Sequence, residues 1–236
     1  MKRIGFTQRL VDSLLSIIFP NVCLSCTRVL FDYEREICTI CINNLPKFSL
    51  ISNSHKELAQ KFIFESKIDN VRSFIIYKPK GIGQKLIHAL KYKYNQEIGL
   101  ILGELFAEEL FTLNFQMKYD IVIPVPLHKR KLALRGYNQS EIIANPIAQK
   151  LNLPHIPDGL VRTAFTNTQT QKSKIDRWAN MDNPFKPNSL IDLNKRRILL
   201  VDDVVTTGAT ISAAVDALVL AGVSSIGVVS IAAPKK

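Results

Sequence analysis

The stretch Ile198-Leu199-Leu200-Val201-Asp202-Asp203-Val204-Val205-Thr206-Thr207-Gly208-Ala209-Thr210 decides the fold. Four apolar residues in a row, led in by Arg197, read as a buried strand covered on both faces. Two carboxylates, Asp202 and Asp203, stand at its carboxyl end, and small residues then turn the chain into a helix. In an open α/β sheet, ligands bind in the crevice outside that end of the strands. Thr206, Thr207, Gly208, Ala209 and Thr210 can turn tightly and offer backbone N–H groups to a phosphate at a helix N-terminus. The three threonine hydroxyls add donors, and Gly208 carries no side chain to block close approach. Asp202 and Asp203 repel a phosphate. They suit instead a pair of ribose hydroxyls or a hydrated Mg2+. No G-x-x-x-x-G-K-[ST] pattern is present, so this is not a P-loop. The plain structural alternative is a strand–turn–helix whose Asp caps the helix.

Upstream and downstream the pattern is α/β. Val71 to Tyr77 reads as a strand, Gly81 to Tyr94 as a helix, and Glu97 to Leu113 as a second, more apolar helix. Asp120 to Pro124 reads as a short buried strand. Ser140 is a cap candidate for a helix through Ala148 to Lys150 that Pro146 would kink or shorten. Val223 to Ile231 makes a further strand. Strands alternating with helices, apolar on both faces, predict a mainly parallel sheet. Residues 163–180, rich in Asn, Gln and Thr, read as a long loop.

All four cysteines fall within the first 48 residues, as Cys23-x2-Cys26-x11-Cys38-x2-Cys41. Each C-x2-C lets one tight turn aim two sulfurs at a single point, and two such turns complete a closed tetrahedral Zn2+ shell. Such a shell leaves no position for substrate, so this Zn2+ is structural. The other readings are disulfides, which need an oxidising compartment, and a redox C-x-x-C, which belongs before a helix in a βαβ unit. The expected domains are residues 1–48, a leading helix plus zinc ribbon, and residues 49–236, the α/β domain. In the leading helix Phe6, Leu10, Leu14, Ile17 and Ile18 recur at helical spacing. That stripe packs on the body of the protein or lies on a membrane surface. No apolar run reaches the ~18 to 20 residues of a membrane-spanning helix, and no signal-peptide cleavage pattern follows the short run at residues 14–19. The expected location is therefore cytoplasmic.

Lys and Arg number 31 against 20 Asp and Glu, a net charge of +11, and 47% of residues are hydrophobic. The composition excludes a disordered chain, and the charge points to an anionic partner. Lys85, Lys91, Tyr92, Lys93 and Tyr94 place cations and rings together. Two readings stand: a groove for single-stranded DNA with stacking platforms, or a solvated helix face whose tyrosines cover the core.

Residues 198–210 resemble the type I phosphoribosyltransferase motif. The rest of the chain resembles, over nearly its whole length, the ComF family of competence-associated proteins. The carrying segments are F-P-N-V-C-L-S-C at 19–26, H-A-L-K-Y at 88–92, P-V-P-L-H at 124–128, R-G-Y-N-Q at 135–139, R-T-x5-Q-T from Arg162, and Arg177 to Asn180. The resemblance implies a phosphoribosyltransferase-like fold with a phosphoribosyl diphosphate site, Mg2+ accompanying the diphosphate. Residues 124–130 would hold the diphosphate, with Lys129, Arg130 or Arg135 neutralising it and His128 as a loop hydrogen-bonder. Residues 164–180 resemble the loop that closes over substrate in catalytic relatives. The implied function is an accessory role in DNA uptake during natural transformation, handling incoming single strands beside the translocation machinery at the inner membrane. The alternative is an active phosphoribosyltransferase of unknown acceptor.

Overall fold

The computed structural model describes residues 20–48, 54–92, 94–163 and 183–235. The leading amphipathic stripe, Lys93 and the long loop at 164–180 lie outside them. The chain divides into two compact units, Met1–Leu45 and Pro46–Lys236.

In the first unit Val22 bridges Val29 in a small antiparallel turn. A short helix α1 (Thr39–Asn43) follows, with Cys38 as its N-cap.

The second unit is built on a four-stranded parallel sheet. In chain order come α2 (Ser54–Ala59) with a 3₁₀ turn at Gln60–Phe62, β1 (Ile68–Ile76), α3 (Ile82–Tyr92), α4 (Gln96–Thr112) and β2 (Ile121–Pro124). Then come α5 (Lys129–Arg135), α6 (Gln139–Leu151), β3 (Leu160–Arg162), β4 (Phe185–Pro187), β5 (Arg197–Val204), α7 (Ala209–Leu220) and β6 (Ser225–Ala233). The strand order is β1-β6-β5-β2, every pairing parallel. β3 and β4 form a separate antiparallel hairpin.

Period-two alternation explains how β5 covers two layers. Ile198 and Leu200 join a core with Ile211, Ala214, Val215 and Leu218 of α7 and with Leu160 and Phe185 of the hairpin. Leu199 and Val201, also fully buried, belong to the other side, where α6 packs on β5, β2 and α4. The α4–α6 approach is close: a Cβ at Gly103 would stand 2.8 Å from the Ile143 carbonyl oxygen and 2.6 Å from Pro146 Cγ. The β2–β5 pairing is pinned at its start by Arg197, whose Nη2 and backbone N–H donate to Asp120 Oδ1 and Oδ2 at 2.6 and 2.8 Å.

Three local readings change. The strand expected over 197–201 runs on to Val204, so the acidic pair sits inside the strand's last turn of pleat. Helix α6 continues past Pro146 to Leu151. Its cap is Asn138, which accepts from the Ser140 N–H at 3.3 Å, and so Ser140 keeps its hydroxyl for another partner.

Candidate functional site

The carboxyl ends of the neighbouring strands β5 and β2 define the crevice. Asp202 and Asp203 are each 8% exposed. Asp202 Oδ1 accepts from Ser140 Oγ at 3.0 Å and from the Asp203 N–H at 2.9 Å. Burial, then the adjacent Asp203 carboxylate, push Asp202 up to about 7, against the pull of Lys91, the Asp203 amide and Ser140. Asp203 Oδ1 is paired with Lys91 Nζ at 3.0 Å.

From β5 the chain passes through Val205 to Gly208 into α7. Gly208 has φ +89°, and a Cβ there would stand 2.8 Å from Phe62 Cε1, so the ring of the 3₁₀ turn fills the space a side chain would need. Lys61 of the same turn donates to the Thr206 carbonyl. Gly208 gives α7 no side-chain cap, and of the first-turn amides that of Ala209 makes only a long bond to Thr207 Oγ1 at 3.4 Å, a start suited to an anionic ligand. Thr206, Thr207, Ala209 and Thr210 are exposed around them.

From β2 the chain passes into α5, capped by His128, whose Nδ1 accepts from the Arg130 N–H at 3.2 Å. Desolvation and the nearby Arg130, Arg162, Lys131 and Lys129 hold His128 below its ordinary pKa, which accords with its Nδ1 accepting as the helix cap. Asn138 Nδ2 donates to the Val125 carbonyl at 3.2 Å and ties this loop to the start of α6.

The cations distribute unequally. Lys129 and Arg130 are exposed on α5, whereas Lys131 and Arg135, one turn apart, are half-buried. Desolvation and the charges of Arg162, Arg135 and Lys91 lower the Lys131 ammonium, with Asp203 opposing them. Burial likewise lowers Arg162 of β3, with Asp202 opposing. Arg135 Nη1 donates to Gln139 Oε1 at 2.9 Å, and its guanidinium lies 5.5 Å from the Tyr92 ring centre. Lys131 and Arg162 went unassigned in the sequence. The signal for Lys131 was its i, i+4 spacing to Arg135.

Lys91, read with Lys85, Lys93 and Tyr94 as a nucleic-acid surface, is turned into the crevice instead. The last turn of α3 lies over the end of β5, and Asp203 is the carboxylate within its reach. Lys85 and Tyr94 are exposed, and the Tyr94 hydroxyl donates to the Leu134 carbonyl at 3.0 Å.

In the first unit the Sγ atoms of Cys23, Cys26, Cys38 and Cys41 all lie within 4.8 Å of one another, Cys26 and Cys38 at 3.7 Å. A tetrahedron of Zn–S bonds of ~2.3 Å separates sulfurs by ~3.8 Å, so the four fit a zinc ion. The Cys38 and Cys41 N–H groups donate to Cys23 Sγ and Cys38 Sγ at 3.3 and 3.4 Å, stabilising thiolates. Burial opposes ionisation of Cys38, but the Cys41 amide and Arg28 bring it down to about 6. Among the described residues this is the one cluster with metal-ligand geometry.

A parallel sheet with an acidic pair at one strand end and an uncapped helix start beside it defines a type I phosphoribosyltransferase-like domain. A family model described as phosphoribosyl transferase domain matches residues 137–236. DNA utilization protein YhgH of Escherichia coli O157:H7 is 33% identical over 147 residues, 61% of this chain and 63% of that protein. Competence protein ComFC of Bacillus subtilis is 25% identical over 211 residues, 87% of this chain and 82% of that protein. Among solved structures, the glutamine phosphoribosylpyrophosphate amidotransferase of B. subtilis complexed with ADP and GMP aligns with a TM-score of 0.44. Its identity is 19%, over 61% of this chain and 30% of that one. The chain carries a phosphoribosyl transferase domain over residues 137–236 and is similar to the DNA utilization and competence proteins of the ComF family. The match spans 63% of the length of the YhgH relatives.

Proposed function

We propose that this chain binds phosphoribosyl diphosphate in the crevice at the carboxyl ends of β5 and β2 and serves DNA uptake, handling incoming single strands. The observation that carries the first part is the pairing of Asp202–Asp203 with the uncapped start of α7. The ribose 5-phosphate goes to the amides and hydroxyls of Thr206, Thr207, Gly208, Ala209 and Thr210. The ribose hydroxyls donate to the acidic pair, which would repel the phosphate. The diphosphate goes to the cations of α5, with Lys131 and Arg135 on the inner side and Lys129 and Arg130 at the rim. Mg2+, if held, enters on the diphosphate itself.

The second part rests on the relatives named for DNA utilization and competence, and on a net charge of +11 that favours a polyanion. No helix among the described residues is long and apolar enough to cross a membrane. A cytoplasmic position at the inner face, beside the uptake machinery, is part of the proposal. Structural Zn2+ on the four cysteines completes it.

Calorimetric titration with phosphoribosyl diphosphate and Mg2+, followed also for released diphosphate, tests the reading. Saturable heat at one ligand per chain without diphosphate release is expected. Release that requires an added acceptor would favour a phosphoribosyltransferase. Absence of saturable heat would overturn the site.

A further inference from the structure

Asp203 already has a cation. Lys91 Nζ lies 3.0 Å from its Oδ1, and the two side chains are only 22% and 11% exposed. That ammonium does not stand on a loose arm. It belongs to the last turn of α3, whose Leu86 and Leu90 are fully buried, and the Tyr137 hydroxyl holds the Leu90 carbonyl. The other carboxylate is committed too, since Asp202 Oδ1 accepts from Ser140 and from the Asp203 amide.

Further cations surround the pair. Lys131 feels Asp203, Lys91, Arg135 and Arg162, and Arg162 feels Asp202. Among the described residues, then, the acidic pair has Lys91 in contact and Lys131 and Arg162 near enough to act on it, with Arg135 beside Lys131. Mg2+ demands near-octahedral oxygens at ~2.0–2.1 Å and gives up its waters reluctantly. Asp203 Oδ1 is taken by the Lys91 ammonium and Asp202 Oδ1 by Ser140 and the Asp203 amide, so a directly bound Mg2+ would have only the remaining carboxylate oxygens, beside cations that repel it. These residues do not fit a magnesium ion held by the protein.

Resting on the phosphoribosyl reading, we infer that Lys91 is a built-in counter-cation for Asp203, so that the site binds a sugar diphosphate through fixed ammonium and guanidinium groups without needing a divalent metal. The ribose hydroxyls donate to Asp203 while Lys91 remains its counter-ion. The diphosphate brings its own negative charge to Lys131 and Arg135. Lys91 thus acts as a specificity-determining residue: it favours a polyanionic sugar over a free divalent cation.

The test is titration of the parent and of Lys91→Gln with phosphoribosyl diphosphate, each in excess Mg2+ and in excess EDTA. The parent's affinity should agree within about threefold between the two conditions. In Lys91→Gln it should fall by about tenfold or more in EDTA and recover in Mg2+, because Asp203 is then free to attract the metal. A metal-only readout runs beside it: Mn2+ followed by electron paramagnetic resonance should stay unbound with the parent and bind Lys91→Gln. Binding of the sugar diphosphate by the parent only in Mg2+ would overturn the inference and leave the phosphoribosyl reading standing. No binding in either condition would overturn both. Should Lys91→Gln fail to fold, the parent's two titrations and its Mn2+ spectrum decide the matter alone.

Discussion

At the scale of single residues the acidic pair carries most of the consequence. Asp202 is pushed up to about 7 by burial and by Asp203, whereas an unfolded aspartate titrates near ~3.9. Between those values the folded state holds a proton that the unfolded state has lost. This group's effect on stability is therefore most favourable below pH ~4, worsens as pH rises through the window, and levels off above ~7. Asp202→Asn keeps an acceptor for Ser140 and removes the titration. Urea unfolding should find the variant more stable than the parent above neutrality by ~1 kcal/mol or more, with the difference shrinking toward pH ~4. A difference that does not change with pH would mean Asp202 is ionised in the folded protein. Asp203→Asn acts on binding instead. It removes a charged acceptor from the ribose position and strands the half-buried Lys91 ammonium. Affinity for phosphoribosyl diphosphate should drop about tenfold to a hundredfold, corresponding to ~1.5–3 kcal/mol. Equal calorimetric affinities for parent and variant would place the ligand elsewhere.

At the scale of elements, the loop proposed to take the phosphate depends on a turn more than a hundred residues away in the chain. Phe62 lies under Gly208 and Lys61 holds the Thr206 carbonyl. Gly208→Ala brings a Cβ to 2.8 Å from the Phe62 ring at φ +89°. It should lower stability by ~1–3 kcal/mol and weaken sugar diphosphate binding at the same time. A thermal melt and a titration on one preparation check both. Unchanged binding with reduced stability would separate the loop from the ligand.

At the scale of the whole molecule the two units and the net charge matter. Zinc in a four-thiolate shell supplies ~10 kcal/mol or more of apparent binding energy to a small module. Metal analysis of protein purified without chelators should find about one zinc per chain. Cys38→Ser should lose it and loosen the first unit, while the α/β unit keeps its cooperative melt. Protein with all four cysteines and no zinc would refute the site. Charge governs the other prediction. Single-stranded DNA should bind with a steep salt dependence, each phosphate contact adding ~0.7 to the slope of log affinity against log salt. Because Lys91 belongs to the crevice, Lys85 and Tyr94 are the residues that probe the exposed face. Lys85→Glu should lower the slope by ~0.7. Tyr94→Ala should weaken binding by ~1–3 kcal/mol at unchanged slope if its ring stacks on a base. Sugar diphosphate binding should be untouched by either. Filter-binding curves that overlay the parent's at every salt concentration would make this surface an ordinary solvated helix face.

What the sequence determined by itself was what local pattern controls. A run of apolar residues ending in Asp202–Asp203 and a glycine turn specified a strand, a crevice and a helix start, because strand burial and backbone permissiveness are properties of a few consecutive residues. Two C-x2-C pairs specified a knuckle geometry for the same reason, and the Sγ atoms do converge. Only the tertiary structure decided which charged side chains meet. Lys91 lies far from Asp203 in the chain, and its spacing with Tyr92 and Tyr94 reads equally as a solvent-facing surface. It pairs with Asp203 because α3 ends over the tip of β5. Lys131, Arg162 and Ser140 reach the same crevice from α5, β3 and α6. Helical periodicity says which face a residue occupies, but not what that face meets. That depends on the strand order β1-β6-β5-β2 and on the close α4–α6 approach at Gly103, contacts between segments distant in sequence that leave no local pattern.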